Sequence, residues 1–330
     1  MRDSFKIPDL TKGVGLPVSK IGGYTILLLF FCGIAAYITS IYDPAFEPLF
    51  LALIFGIIAG NFQNDEKMKR ISEKSLMVLL PLGITLYGLN INIPYLGEFR
   101  PEIVISTLLI ASVMFVTIIW LSKLLKISRH LSLLLACGSG ICGVSAIAIV
   151  SPLLRPKKEE FSAAIIIITA VGLTGAITYP SIGHFTGISP DDYAIMAGAT
   201  LHQTGLVKIS SHLVGVEDEA LAVKGIRIAM IALVALVLSI LYSESRLYVP
   251  WYIVTFLAVA LFASTYLPSQ IVEMLRPVAT VVFSMTLAAI GYSVDIRKVQ
   301  RVGIKPLLIS YVGWLTGLAV FAILLWGGVL

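Results

Sequence analysis

Residues 131–154 read LSLLLACGSGICGVSAIAIVSPLL, an apolar run long enough to cross a bilayer but punctuated by Gly138, Gly140 and Gly143. Glycine inside a helix costs roughly 1 kcal/mol against alanine, so this clustering predicts that the helix breaks there. Backbone that leaves the helix inside lipid must be buried in protein or line a watery cavity, because hydrocarbon cannot pair its freed N–H and C=O groups. A second run, 193–213, carries the same problem in different chemistry. Within it AGATLHQTGLVKISSH, residues 197–212, puts His202, Gln203, Thr204, Lys208 and His212 at membrane depth. The two runs are expected to meet at one such cavity.

The rest of the chain fits that setting. Of 330 residues 58% are hydrophobic and 13% charged, with a mean hydropathy of +0.94. Soluble domains carry about 25% charged residues, so the excess apolar surface requires lipid. A soluble enzyme, a nucleic-acid binder and a secreted disulfide scaffold are excluded on that ground. Cys32, Cys137 and Cys142 lie in apolar runs and form no CxxC pair, so no disulfide framework or zinc pattern is present.

Runs of spanning length occur at about 22–41, 46–62, 75–96, 102–122, 131–154, 161–184, 193–213, 225–242, 250–267, 277–295 and 306–329. The fold expected is an all-α polytopic membrane protein of about 9–11 transmembrane segments, in two inverted halves with two broken or re-entrant helices. Residues 1–21 are expected as a cytoplasmic N-terminal segment and 22–330 as a single transmembrane domain with halves near 22–158 and 159–330. The stretch FQNDEKMKRISEKS at 62–75 reads as a polar loop.

The net charge of +5 is concentrated in basic clusters between apolar runs: Arg2/Lys6/Lys12/Lys20, Lys67/Lys69/Arg70/Lys74, Lys123/Lys126/Arg129, Arg155/Lys157/Lys158 and Arg297/Lys298/Arg301/Lys305. Cytoplasmic loops hold such an excess. Counting from a cytoplasmic N-terminus, eleven full crossings place every cluster inside except 155–158; all fall inside if 131–154 and 193–213 enter and return, or break midway. Either count leaves the C-terminus outside. The location expected is the plasma membrane of a prokaryote.

An internal repeat points to the same build. LPLGITLYGLNINIPYL at 80–96 aligns without gaps on FSMTLAAIGYSVDIRKV at 283–299, matching Gly88 with Gly291, Asn90 with Ser293, Asn92 with Asp295 and Ile93 with Ile296. The copies lie an odd number of segments apart and so run in opposite directions, as in secondary transporters whose site lies near mid-membrane between inverted repeats.

Together GSGICGVSAIAIVSP at 138–152, GATLHQTGLVKIS at 198–210, the PW at 250–251 and AAIGYSVD at 288–295 resemble the YeiH-type family, often labelled sulfate exporters. The resemblance spans nearly the whole chain. That family is similar to sodium/proton antiporters and bile-acid symporters, in which two broken helices cross at the transport site. The resemblance implies an anion-transporter fold without naming the anion.

Three residue groups are candidates. A half-helix N-terminus presents free amides and about half a positive charge, which suits an anion. Ser139, Gly140, Ile141, Cys142 and Gly143 would offer amides, with the Ser139 and Ser145 hydroxyls as further donors; the plain alternative is that small residues pack helices closely. Thr200, His202, Gln203, Thr204 and Lys208 form the second group. Lys208 would supply a fixed charge, or snorkel to an interface. Imidazole changes charge between about pH 5 and 8, so His202 is a candidate proton carrier. Asn90, Asn92, Ser293 and Asp295 form the third: the asparagines toward substrate, Ser293 and Asp295 toward a coupling ion, although Asp295 also suits an interfacial helix end.

The function expected is a secondary carrier of a small anion, such as sulfate, another sulfur oxyanion or a small carboxylate, coupled to a proton or sodium gradient by alternating access. A passive channel at the same break is the runner-up. An intramembrane hydrolase built on Cys142 and His202 lacks an orienting acid, so no enzyme is expected. No cofactor, metal or nucleic-acid partner is expected; the partners are the anion and membrane lipid, with a homodimer left open.

Overall fold

The computed structural model describes residues 20–42, 48–63, 65–90, 100–242, 251–294 and 302–330, and those residues are helical throughout apart from short connections. In chain order the helices are α1 (Lys20–Tyr42), α2 (Pro48–Gln63), α3 (Glu66–Tyr87), α4 (Pro101–Leu124), α5 (Arg129–Gly140), α6 (Val144–Leu154), α7 (Lys158–Thr186), α8 (Pro190–Thr200), α9 (Thr204–His212), α10 (Glu217–Tyr242), α11 (Trp251–Tyr266), α12 (Ser269–Tyr292) and α13 (Lys305–Trp326). Six of them, α1, α4, α7, α10, α12 and α13, are long and apolar enough to cross a membrane, and α2, α6 and α11 are shorter apolar helices.

Where boundaries differ from expectation, charged residues at helix starts are the reason. Most of the expected polar loop at 62–75 is the first part of α3: the Asp65 carboxylate caps it, accepting from the amides of Lys67 (2.8 Å) and Met68 (3.4 Å). Likewise α10 begins with Glu217, Asp218 and Glu219, ahead of the expected start at 225, because acids are favoured against the positive end of the helix dipole. Within the repeat at 80–96, α3 ends at Tyr87 and a 3₁₀ turn follows at Gly88–Asn90; residues 91–96 lie outside the described residues.

The chain forms two compact units. Unit 1 comprises Met1–Ile91, Ser151–Ser162 and Ala235–Val302; unit 2 comprises Asn92–Val150, Ala163–Val234 and Gly303–Leu330. These interleave along the chain.

In unit 1, α12 packs on α1, α2 and α3, and α11 packs on α3. Glycines permit the closest approaches. A Cβ at Gly56 would lie 2.2 Å from the Ala288 carbonyl oxygen and one at Gly60 2.0 Å from that of Tyr292. This GxxxG stripe lets the α2 and α12 backbones touch. The repeat glycines exchange partners: Gly88 abuts Phe256 and Ala260 of α11, whereas Gly291 abuts Leu53 and Ile57 of α2.

In unit 2, α4 packs on α5 and α13, and α8 packs on α4 and α13. A buried cluster including Ile110, Met114, Tyr179, Tyr193 and Trp314 fills the space between them. The Trp314 indole donates to the Tyr179 hydroxyl (2.9 Å), which is in turn hydrogen-bonded to Thr200.

Candidate functional site: two facing helix breaks

Both predicted breaks are present, and both lie in unit 2. The helix stops at Gly140 and restarts at Val144; it stops again at Thr200 and restarts at Thr204. At the first break Ile141 leaves helical geometry (φ −116°, ψ −94°) and Gly143 turns left-handed (φ +69°). That second value is one L side chains rarely adopt, which is the local reason for glycine there. At the second break Leu201 and Gln203 are extended.

The breaks touch each other. A Cβ on Gly143 would lie 2.6 Å from Gln203 Cγ and 3.2 Å from the His202 carbonyl oxygen, so only a residue without a side chain admits this approach. Helix α7 closes one side: Thr169 accepts a hydrogen bond from Gln203 Nε2 (2.6 Å), and Gly172 stands where a Cβ would be 3.4 Å from His202 Cβ.

The carbonyl ends of α5 and α8 are tied by two cations of α10. Lys224 Nζ donates to the carbonyls of Ile141 (3.1 Å), Leu201 (2.6 Å) and His202 (2.9 Å). Arg227 donates through Nε to Gly140 (3.1 Å), through Nη1 to Leu201 (2.7 Å) and through Nη2 to Ser139. Residues three apart share a helix face, so one face of α10 serves both breaks. Both cations are wholly buried, and no Asp or Glu is buried among the described residues. The last turns of α5 and α8 carry negative partial charge, which these cations meet. Carbonyl dipoles satisfy the donors but supply no formal counter-charge.

The restarting helices add to that bias. Neither α6 nor α9 has an acid in its first turn, and Gln203 at the α9 N-cap makes no side-chain capping bond. Around them several buried polar atoms have no hydrogen-bond partner among the described residues: Ser139 Oγ, both ring nitrogens of His202 and Gln203 Oε1. Buried polar groups are ordinarily paired, so orphans clustered at one place mark it as built for something polar.

Of the predicted residues, Ser139, Gly140, Ile141, Cys142, Gly143, Ser145, Thr200, His202 and Gln203 are all buried around the breaks. The Cys142 thiol and Ser145 hydroxyl bond each other, and Thr200 is engaged with Tyr179 and the Met196 carbonyl. Thr204 is exposed at the α9 start. Lys208 stands apart: it is half-exposed and paired with Glu217 (3.2 Å), which also bonds His212 (3.0 Å), because α9 has by then run out to the chain's turn into α10. The cations buried at the breaks are Lys224 and Arg227, not Lys208. Asn90 and Ser293 belong to unit 1, where each bonds local backbone at Tyr87 and Ile290. Asn92 and Asp295 lie outside the described residues.

Lys224 and Arg227 escaped the sequence reading because the apolar window was drawn from 225, which placed Lys224 in the loop. The available signal was two basic residues three apart inside AVKGIRIAMIAL, 222–233. Arg227 sits about 15 Å along α10 from Glu217 at 1.5 Å per residue, well inside a segment of spanning length. Thr169 carried no signal.

A family profile described as conserved hypothetical protein 698 matches residues 24–310. The chain is 66% identical over 330 residues to a UPF0324 membrane protein of Archaeoglobus fulgidus, covering the whole of both. It is 28% identical over 311 residues to the UPF0324 inner membrane protein YeiH of Salmonella typhi, spanning 88% of this chain and 86% of that one. Against YeiH of Escherichia coli strain K12 the identity is 27% over 298 residues, spanning 84% and 85%. No solved structure matches.

Proposed function

The chain belongs to the conserved hypothetical protein 698 family of UPF0324 membrane proteins, and on that footing we propose that it is a secondary carrier for a small anion, with the facing breaks of unit 2 as its binding site. The observation that carries this reading is the pair of wholly buried cations, Lys224 and Arg227, with no buried carboxylate among the described residues. A buried charge is costly unless it is compensated, and these two are compensated only by carbonyl dipoles. An anion near the amide ends of α6 and α9 supplies the missing negative charge.

Broken helices meeting inside one unit are the arrangement by which carriers place backbone groups around a substrate at mid-membrane. The exchanged contacts of Gly88 and Gly291 support an inverted repeat, since a two-fold exchange of α2–α3 with α11–α12 swaps those contacts. The site opens to each side of the membrane in turn, in the cytoplasmic membrane, with His202 as the coupling candidate at the breaks. Sulfur oxyanions and small carboxylates are the substrates of choice.

The test is counterflow in proteoliposomes with labelled sulfate, sulfite, phosphate and small carboxylates. A carrier shows saturable uptake that accelerates when the same anion is loaded on the far side. Flux that rises linearly with concentration and ignores the far side would establish a channel instead. Absence of both, for every anion offered, would remove the anion assignment.

A further inference from the structure

We infer that the anion bound at the breaks also carries its own O–H or N–H donor, an inference that rests on the carrier reading and narrows its substrate class. The basis is the donor and acceptor inventory of the orphaned groups. Gln203 is oriented by its bond from Nε2 to Thr169 Oγ1 (2.6 Å), which leaves Oε1 buried with no partner. An amide oxygen can only accept. His202 has both ring nitrogens buried and unpartnered; a neutral imidazole offers one N–H and one acceptor. Ser139 Oγ, equally buried and unpartnered, can do either.

Gln203 and His202 meet the same face of α7. Thr169 and Gly172, the α7 positions touched by Gln203 and His202, are three apart and so adjacent on one helix face. The charge of the ligand is answered by the positive bias of the cations and amide ends. The acceptor at Gln203 is not answered by charge at all. A fully deprotonated oxyanion brings only acceptors and leaves Oε1 unpaired, which costs the desolvation of a buried polar atom. A hydrogen oxyanion, a hydroxy acid or an amino acid pairs it. Sites built to bond a substrate hydroxyl or amine reject the analogue lacking it more strongly than apolar pockets reject a missing methylene.

The experiment compares near-isosteric pairs at neutral pH on the purified full chain: hydrogen phosphate against sulfate, and glycolate against propionate. Binding is read by ligand-induced rise in melting temperature and exchange by counterflow. In at least one pair the donor-bearing member is expected to bind about ten-fold or more tightly, and which pair responds separates tetrahedral from carboxylate substrates. Gln203→Met, similar in length but unable to accept strongly, should bring that ratio to about one. Thr169→Val, which frees the carboxamide to turn, should lower the ratio in the same direction. Equal or tighter binding of the donor-free members overturns the inference, meaning the carboxamide presents its nitrogen to the ligand; so does a preference that survives both substitutions. If none of the four probes binds, the inference fails, and the broader counterflow panel decides the carrier reading separately.

Discussion

Lys224 and Arg227 do the same electrostatic work with different geometry. The ammonium spends its three N–H groups on three carbonyls from both breaks, whereas the planar guanidinium reaches Ser139 and Gly140 on one break and Leu201 on the other. Lys224→Met strands the carbonyls of Ile141 and His202, at about 1–3 kcal/mol for each buried orphan, while Leu201 keeps its bond from Arg227. It should lower the melting temperature by several degrees and reduce counterflow more than ten-fold; wild-type values in both would show the cation to be dispensable. Arg227→Lys keeps the charge but loses the fork, so partial rather than full retention of exchange is expected. Gly143→Ala meets two penalties, about 1–2 kcal/mol for a left-handed L residue and displacement of Gln203 Cγ from 2.6 Å. Gly138→Ala, which meets only the side chains of Ile147 and Ile168 and no left-handed turn, should cost less in the same melt. By contrast Lys208→Ala breaks a half-exposed ion pair worth about 0–1 kcal/mol and should leave anion affinity within two-fold of wild type.

Among elements, the α2–α12 contact depends on missing side chains more than on any single attraction. Gly56 and Gly60 face the Ala288 and Tyr292 carbonyls, and Gly291 returns the contact from α12 to α2. A side chain there forces the two backbones apart, and overpacking of this kind typically costs 1–3 kcal/mol. Gly60→Ile should therefore melt several degrees below wild type. Gly23→Ile, at a position with open space around it, serves as the control and should melt as wild type does. Equal melting of the two variants would show that α2 and α12 are not in contact. The helices around the breaks are short by comparison, 9 to 12 residues each. Isolated helices of that length are marginal in water, so α5, α6, α8 and α9 depend on the packing around them.

For the molecule as a whole, the positive-inside distribution makes a directional claim that labelling can check. Lys126 lies just past the end of α4 within a basic cluster, and Gly328 follows α13. A membrane-impermeant maleimide should label Gly328→Cys in intact cells and Lys126→Cys only after permeabilisation; the reverse pattern overturns the orientation. Unit 1 joins residues far apart in the chain, as in the bond from Ser72 to the Ala289 carbonyl and from Asn61 to that of Val294. Contacts of such sequence separation are slow to form, so assembly of unit 1 awaits synthesis of α12.

The amino-acid sequence alone determined that this chain lives in lipid and where its helices must stop. Hydropathy answers to composition, and a left-handed turn at Gly143 answers to one residue's lack of a Cβ; neither needs a partner to be read. The acid-led starts of α3 and α10 lay in the same local chemistry, although the hydropathy windows passed over them. Which cation serves the breaks was a different kind of question. Lys208 stands close to the second break in sequence, but α9 carries it outward to Glu217, while Lys224 and Arg227 arrive from the following helix because three-residue spacing on α10 aims both at carbonyls set free on α5 and α8. Charge placement in three dimensions is settled by how helices pack, and linear distance along the chain carries no information about it.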